Sequence, residues 1–153
     1  MDNAALLAAL QGLDAEAKPL EKADRAAVSI PPERLFDYLA KVRSQPELNF
    51  DFLLAHTAVH WNEANKIELL YQLYSTEKRH YCLVSTEVAA DKPVVKSVSA
   101  LWRIAEWQER EVYDLFGVLY EGHPDLRRLF LDDSWQGFPL RKDYKDDFML
   151  ERE

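Results

Sequence analysis

Residues 50–88 hold three apolar segments separated by short polar breaks, and that succession leaves few folds open. Residues 50–61 are mostly apolar with β-branched interruptions. Residues 66–75 carry Ile67, Leu69, Leu70, Tyr71, Leu73 and Tyr74. After the polar turn Thr76-Glu77-Lys78-Arg79, residues 81–88 resume as a strand with Cys82, Leu83, Val84 and Val88. Extended segments joined by short turns pair with their neighbours in sequence, so a three-stranded antiparallel meander is the economical reading.

Helical signals flank the meander. Residues 4–11 read as a short helix stopped by Gly12, with 13–25 as a charged connector. Pro31, Pro32 and Glu33 form a helix start, because proline suits the first turn and an acid suits the positive end of the dipole. Leu35, Phe36, Leu39 and Val42 then give one apolar face, and the helix should end near Ser44-Gln45, before Pro46. Downstream, Asp91-Lys92-Pro93 reads as a loop and Val94-Val95 as a short edge strand. Ser97 or Ser99 can cap a helix running to about Phe116, and Gly117 takes the left-handed position that ends it.

Beyond Gly122 no period of two or 3.6 persists. Yet Leu126, Leu129, Phe130, Leu131, Trp135, Phe138, Leu140, Tyr144 and Phe148 are too apolar for a free linker, so this tail is expected to lie against something. Three units result: residues 1–27 as N-terminal helix and connector, 28–122 as an α+β domain, and 123–153 as an extended C-terminal docking segment. At 153 residues the chain is long enough for one domain with a substantial core.

Charge and cysteine content restrict the chemistry. With 19 Lys+Arg against 27 Asp+Glu, the net charge of −8 opposes direct binding to nucleic acid or anionic lipid. Cys82 stands alone, so an internal disulfide is impossible and no iron–sulfur cluster can be held by this chain's thiolates. A reducing compartment is the simpler assumption. The opening MDNAALLAALQG lacks the basic region of a secretory signal and the arginines of a transit peptide, and no stretch has the apolar length of a membrane span.

Among the titratable groups, Glu109 and Glu111 project to different sides of a helix and cannot share a proton or metal. Glu106 and Asp114 each lie four residues from Arg110, which reads as an ion-pair ladder. His56, His60 and Glu63 could ligate zinc only on a helix; on a strand, residues four apart are roughly 13 Å distant. They are therefore expected to be surface or hydrogen-bonded groups. Cys82 reads as a small core side chain and His80 as isolated, while His123, before Pro124, reads as a turn residue whose ring bonds backbone carbonyls. Phosphate-binding loops, nucleophile elbows and dinucleotide fingerprints find no match among only four glycines.

Trp107-Gln-Glu109-Arg110-Glu111-Val-Tyr113-Asp114-Leu-Phe116-Gly117, then Gly122-His123-Pro124-Asp-Leu126-Arg127-Arg128, closely resembles the signature of the C subunit of NADH:quinone oxidoreductase, respiratory complex I. Asp133-Ser-Trp135-Gln-Gly137-Phe-Pro139-Leu140-Arg141-Lys142-Asp143-Tyr144 is similar to that family's second block, with departures at His60 and at the inserted Ser134. The resemblance implies an α+β fold, two layers with helices packed on a mixed β-sheet, and a C-terminal segment that wraps a neighbour. It implies a subunit without a redox centre, lying peripherally on the cytoplasmic face of the cell membrane. There it would pack beside the quinone-site subunit and near the iron–sulfur subunits of a complex that uses FMN, iron–sulfur clusters, NADH and quinone. Glu109, Arg110, Glu111, Asp114, Gly117, His123, Pro124, Arg127, Arg128, Trp135, Arg141, Lys142 and Asp143 would then shape a docking face, with structural and interfacial roles rather than catalytic ones. The same resemblance extends to membrane-bound hydrogenases, formate hydrogenlyase and ferredoxin- or deazaflavin-linked reductases.

Overall fold

A computed structural model describes residues 1–148; positions 149–153 of the expected C-terminal segment lie outside the described residues. In chain order the elements are α1 (Asn3–Gly12), β1 (Lys18–Pro19), β2 (Ala27–Ser29), a 3₁₀ turn (Pro32–Arg34) running into α2 (Leu35–Ser44), β3 (Phe52–Trp61), β4 (Lys66–Ser75), β5 (His80–Ala89), β6 (Val94–Lys96), α3 (Ala105–Phe116) and β7 (Leu119–Glu121). The fold is α+β as expected, with helices on a mixed sheet of order β1-β2-β5-β4-β3.

The meander forms as its patterning predicts. β4 pairs antiparallel with β3 and with β5, from Lys66↔Ala89 to Ser75↔His80. Ile67, Leu69, Tyr71 and Leu73 are fully buried on the inner face, while the alternate residues stay half-exposed. A bulge at Leu54 shifts the register between Leu53 and Ala55, so Leu53 and His56, three apart, both face inward and Leu54 is turned out. Leu6 and Leu10 of α1, Leu35, Tyr38, Leu39 and Val42 of α2, and Val112 and Phe116 of α3 complete the same core. The Tyr38 hydroxyl donates to the Leu10 carbonyl at 2.9 Å and ties α2 to α1.

Local expectations are amended in three places. The 13–25 connector carries β1 and a buried Asp14, whose carboxylate accepts from Arg34 at 2.8 Å. β6 is not an edge of the main sheet; it pairs in parallel with β7, a strand too short to announce itself in sequence. The third helix starts at Ala105 rather than at Ser97 or Ser99. Residues 98–104 turn instead, with Leu101 and Trp102 N–H groups on the Val98 carbonyl and the buried Trp102 indole donating to Phe50 O at 3.2 Å.

Candidate docking face

Helix α3 ends where Gly117 adopts φ 76°, and its last carbonyls need donors that the helix cannot provide. Its final turn contains no basic residue. The following segment supplies them. Gly117 N–H donates to Tyr113 O at 2.9 Å and Leu140 N–H to Leu115 O at 3.0 Å. Arg128 Nη1 donates to Asp114 O at 3.0 Å, and Arg141 Nε to Phe116 O at 2.6 Å. Two arginines from far along the chain thus sit at the negative end of the helix dipole, where cations are favoured.

Asp114 is the hub of this segment. Fully buried, it accepts the N–H groups of Leu129, Phe130 and Leu131 on Oδ2, at 3.2, 2.7 and 3.1 Å, and Arg128 Nη1 on Oδ1 at 3.0 Å. Burial pushes its carboxyl up, but those amides and the guanidinium outweigh it and hold the group below the usual aspartate range. Arg128 Nη2 reaches on to Trp135 O and Gly137 O at 3.1 and 3.0 Å. The expected Glu106–Arg110–Asp114 ladder is not formed: Arg110 donates instead to the Arg127 and Arg128 carbonyls, both at 3.1 Å, with its guanidinium 5.1 Å from the Trp107 ring centre. Helical spacing brings charges within reach, but open carbonyls of a crossing segment compete for the same donors.

Phe138 lies against Gly117 so closely that a Cβ there would fall 2.5 Å from its ring. The ring sits 5.1 Å from the Arg128 guanidinium and 5.5 Å from that of Arg141. Arg141 also donates to Ala90 O at 2.9 Å; the Lys142 N–H then donates to His60 Nδ1 at 3.1 Å. Because His60 Nδ1 accepts there, Asp143, 3.8 Å away, adds proximity rather than a firm ion pair. Residues 122–144 therefore form a strap across this chain's own helix end and sheet, where a neighbour was expected to give the support. Large apolar side chains remain outward on the strap among charged ones such as Asp125, Arg127, Asp132 and Lys142: Phe130 is 64% exposed, Leu140 53% and Trp135 39%, beside Trp107 at 55% on α3.

Beneath α3 lies a buried polar layer. Glu109, fully buried, accepts from the Ser97 hydroxyl at 2.6 Å and from Val98 N–H at 2.7 Å. Burial pushes its carboxyl up to about 7, against those two hydrogen bonds, with Glu106 adding to the rise. His123 behaves as expected of a turn residue: Nδ1 accepts from Asp125 N–H at 2.9 Å, so Nε2 carries the proton and donates to Glu106 O at 2.8 Å. His56 Nδ1 donates to Leu70 O at 3.0 Å, which leaves Nε2 to accept the Tyr120 hydroxyl at 2.6 Å. Burial lowers the His56 imidazole to about 4, opposed by the Leu70 hydrogen bond, and burial raises the Tyr71 and Tyr120 phenols. Among the described residues, no three His, Cys, Asp or Glu groups converge at metal-binding distances.

The expected site residues divide by depth. Glu109, Arg110, Asp114 and Gly117 are buried, and Arg128 and Arg141 of the strap are half-buried. Glu111, Pro124, Arg127, Trp135, Lys142 and Asp143 are exposed, with Arg127 on Asp125 at 2.9 Å. Sequence reasoning missed Ser97, Tyr71 and Tyr120 as members of the polar layer. His56 and Tyr120 are 64 positions apart and share no local pattern.

Residues 28–147 match the family described as the respiratory-chain NADH dehydrogenase 30 kDa subunit. The C subunit of NADH-quinone oxidoreductase from Roseiflexus castenholzii is 36% identical over 146 residues, covering 94% of this chain and 84% of that protein. The C 2 subunit from Rhizobium meliloti is 37% identical over 77% of this chain, and the C/D subunit from Phocaeicola vulgatus 43% over 78%. The chain spans only 65% and 22% of the length of those two. Among solved structures, a chain of the archaeal membrane-bound sulfane sulfur reductase superposes with a TM-score of 0.80 at 28% identity, covering 93% of this chain and 85% of that one. The trypsin-resistant fragment of Nqo5 follows at 0.67 and 28%, covering 79% and 98%.

Proposed function

The chain belongs to the 30 kDa subunit family of respiratory-chain NADH dehydrogenases, and on that premise we propose that it is a subunit without a redox cofactor whose work is positioning. It packs in the peripheral arm of an NADH:quinone oxidoreductase, on the cytoplasmic face of the membrane, beside the quinone-site subunit and near the iron–sulfur subunits. Those neighbours handle FMN, the clusters, NADH and quinone, and carry electron transfer coupled to proton translocation. None of the described helices is long and apolar enough to cross a membrane, so the proposed attachment is through protein contacts.

The observation that carries this reading is the strap. Its backbone is held from below by Asp114 and Arg110, its own Arg141 reaches down to the Phe116 carbonyl, and Phe130, Leu140 and Trp135 face outward beside Trp107 of α3. Aromatic groups held on an ordered backbone make an interface core at low entropic cost, because little remains to be immobilised on docking. Purification of the tagged chain from membranes in mild detergent is expected to return quinone-site and iron–sulfur subunits with FMN-dependent NADH oxidation. Recovery of the chain alone would end the proposal. The likeness to the sulfane sulfur reductase supports a second reading, the matching subunit of a related complex. The same neighbours without FMN or NADH oxidation would select it, with hydrogen, ferredoxin or a deazaflavin as electron source.

A further inference from the structure

The Ser97 hydroxyl has one proton and two oxygens within reach: Glu109 Oε2 at 2.6 Å and Ser99 Oγ at 2.8 Å. It cannot donate to both at once. If Glu109 is ionised, Ser97 donates inward to the carboxylate and Ser99 can donate to Ser97. If Glu109 carries a proton, the carboxyl donates to Ser97 Oγ, and Ser97 turns its own proton outward to Ser99. Every heavy atom can stay in place while the direction of the hydrogen bonds reverses. Glu109 is fully buried and Ser99 is partly exposed, so the three groups lead from the interior to water.

We propose that Glu109, Ser97 and Ser99 form an internal proton-binding site with its own hydroxyl relay to solvent. Uptake is balanced: a hydronium ion in the solvent delivers a proton to Ser99 Oγ and becomes water, Ser99 passes its own to Ser97 Oγ, and Ser97 passes its own to Glu109 Oε2. The carboxyl goes from −1 to neutral and both serines regain a proton.

The surroundings favour a neutral occupant. From α3 itself, Glu106 opposes a second negative charge, and the Arg110 guanidinium is committed to the Arg127 and Arg128 carbonyls. The strap side contributes His123, whose Nε2 lies 4.0 Å from Glu109 Oε2 but donates to Glu106 O. From β4 and β7 come the Tyr71 and Tyr120 phenols; the Tyr71 hydroxyl is buried without a partner, and Tyr120 donates to His56. Among the described residues, only Ser97 and Val98 N–H support the ionised form directly. Burial accordingly raises the carboxyl to about 7, into the range where proton occupancy changes under cellular conditions. The inference is independent of the proposed positioning role, since it concerns only this chain's interior.

Infrared difference spectra of the full chain, recorded across the window from 4.5 to about 7 and just above it, test the site. The expected result is a protonated-carboxyl band that disappears as pH rises and is missing in Glu109→Gln. Ser97→Ala, which removes a donor to the ionised form, should move its midpoint up by about one pH unit, a tenfold gain in proton affinity. Ser99→Ala, which removes the acceptor needed by the protonated form, should move it down. If Glu109→Gln does not fold, the opposite shifts in the two serine variants still decide. A band that persists in Glu109→Gln, no band in this window, or an unmoved midpoint in Ser97→Ala overturns the proposal.

Discussion

Strands β3 to β5 and the 122–144 strap bear on the same core, yet they are held by opposite means. In the meander Lys66 to Tyr74 of β4 each have a cross-strand partner on both sides, and main-chain hydrogen bonds go alternately to β3 and β5. The strap has few main-chain bonds to the body; Leu140 N–H to Leu115 O is one. Most of its anchoring comes from side chains that satisfy backbone groups: Asp114 on three amides, Arg110 on two carbonyls, Arg128 and Arg141 on the helix end. Bonding spread along a ladder tolerates the loss of any one side chain. Bonding gathered at a few charged groups does not.

Substitutions can break that contrast, and the largest effect is expected at Asp114. Asp114→Ala leaves Arg128 half-buried without its carboxylate and three amides without an acceptor, a loss of roughly 3–5 kcal/mol by analogy with broken buried pairs. Denaturant unfolding of the isolated chain measures it, and a loss below about 1 kcal/mol, the size of an ordinary point mutation, would show the hub to be dispensable. Gly117→Ala forces a side chain into left-handed backbone and into the Phe138 ring, so a loss of roughly 1–3 kcal/mol is expected with the strap loosened first. Arg141→Lys keeps the charge but cannot reach Phe116 O and Ala90 O together, and should lose roughly 1–2 kcal/mol in the same assay. Thr57→Val, on the exposed face of β3, should stay within about 0.5 kcal/mol of the parent.

Two carboxyls on α3 sharpen the comparison through pH. Asp114 has its folded value lowered, so its contribution is present above the ordinary aspartate range and is lost as pH falls through the folded value. Glu109 has its folded value raised, so the native state holds the extra proton, and stability falls as pH rises from 4.5 through about 7. Melting temperature against pH should therefore flatten between those values in Glu109→Gln, while Asp114→Asn should flatten the acid limb instead. If both variants retained the parent curve, the two environments would be misassigned.

How much was legible in the sequence follows the same division. Alternation and short polar turns expose a meander because its partners are close in sequence, and Gly117 announces the helix end because left-handed backbone favours glycine. The Arg110 ladder failed for a physical reason: spacing of four along a helix tells which charges can meet, not whether a distant carbonyl will take the donor first. The tail's apolar content correctly implied a surface beneath it, but composition could not say that the surface was its own α3. The buried layer of Glu109, Ser97, Tyr71, His56 and Tyr120 is assembled from separate elements, and no periodicity joins them.

Amide hydrogen exchange of the isolated full chain, read at Leu129, Phe130, Leu131 and Leu140, tests most directly whether the strap is ordered before any partner arrives. Protection comparable to that of α3, abolished at the first three positions by Asp114→Ala, is the expected result. Exchange at the rate of an unstructured peptide in the parent chain would mean that the docking face is built only on assembly.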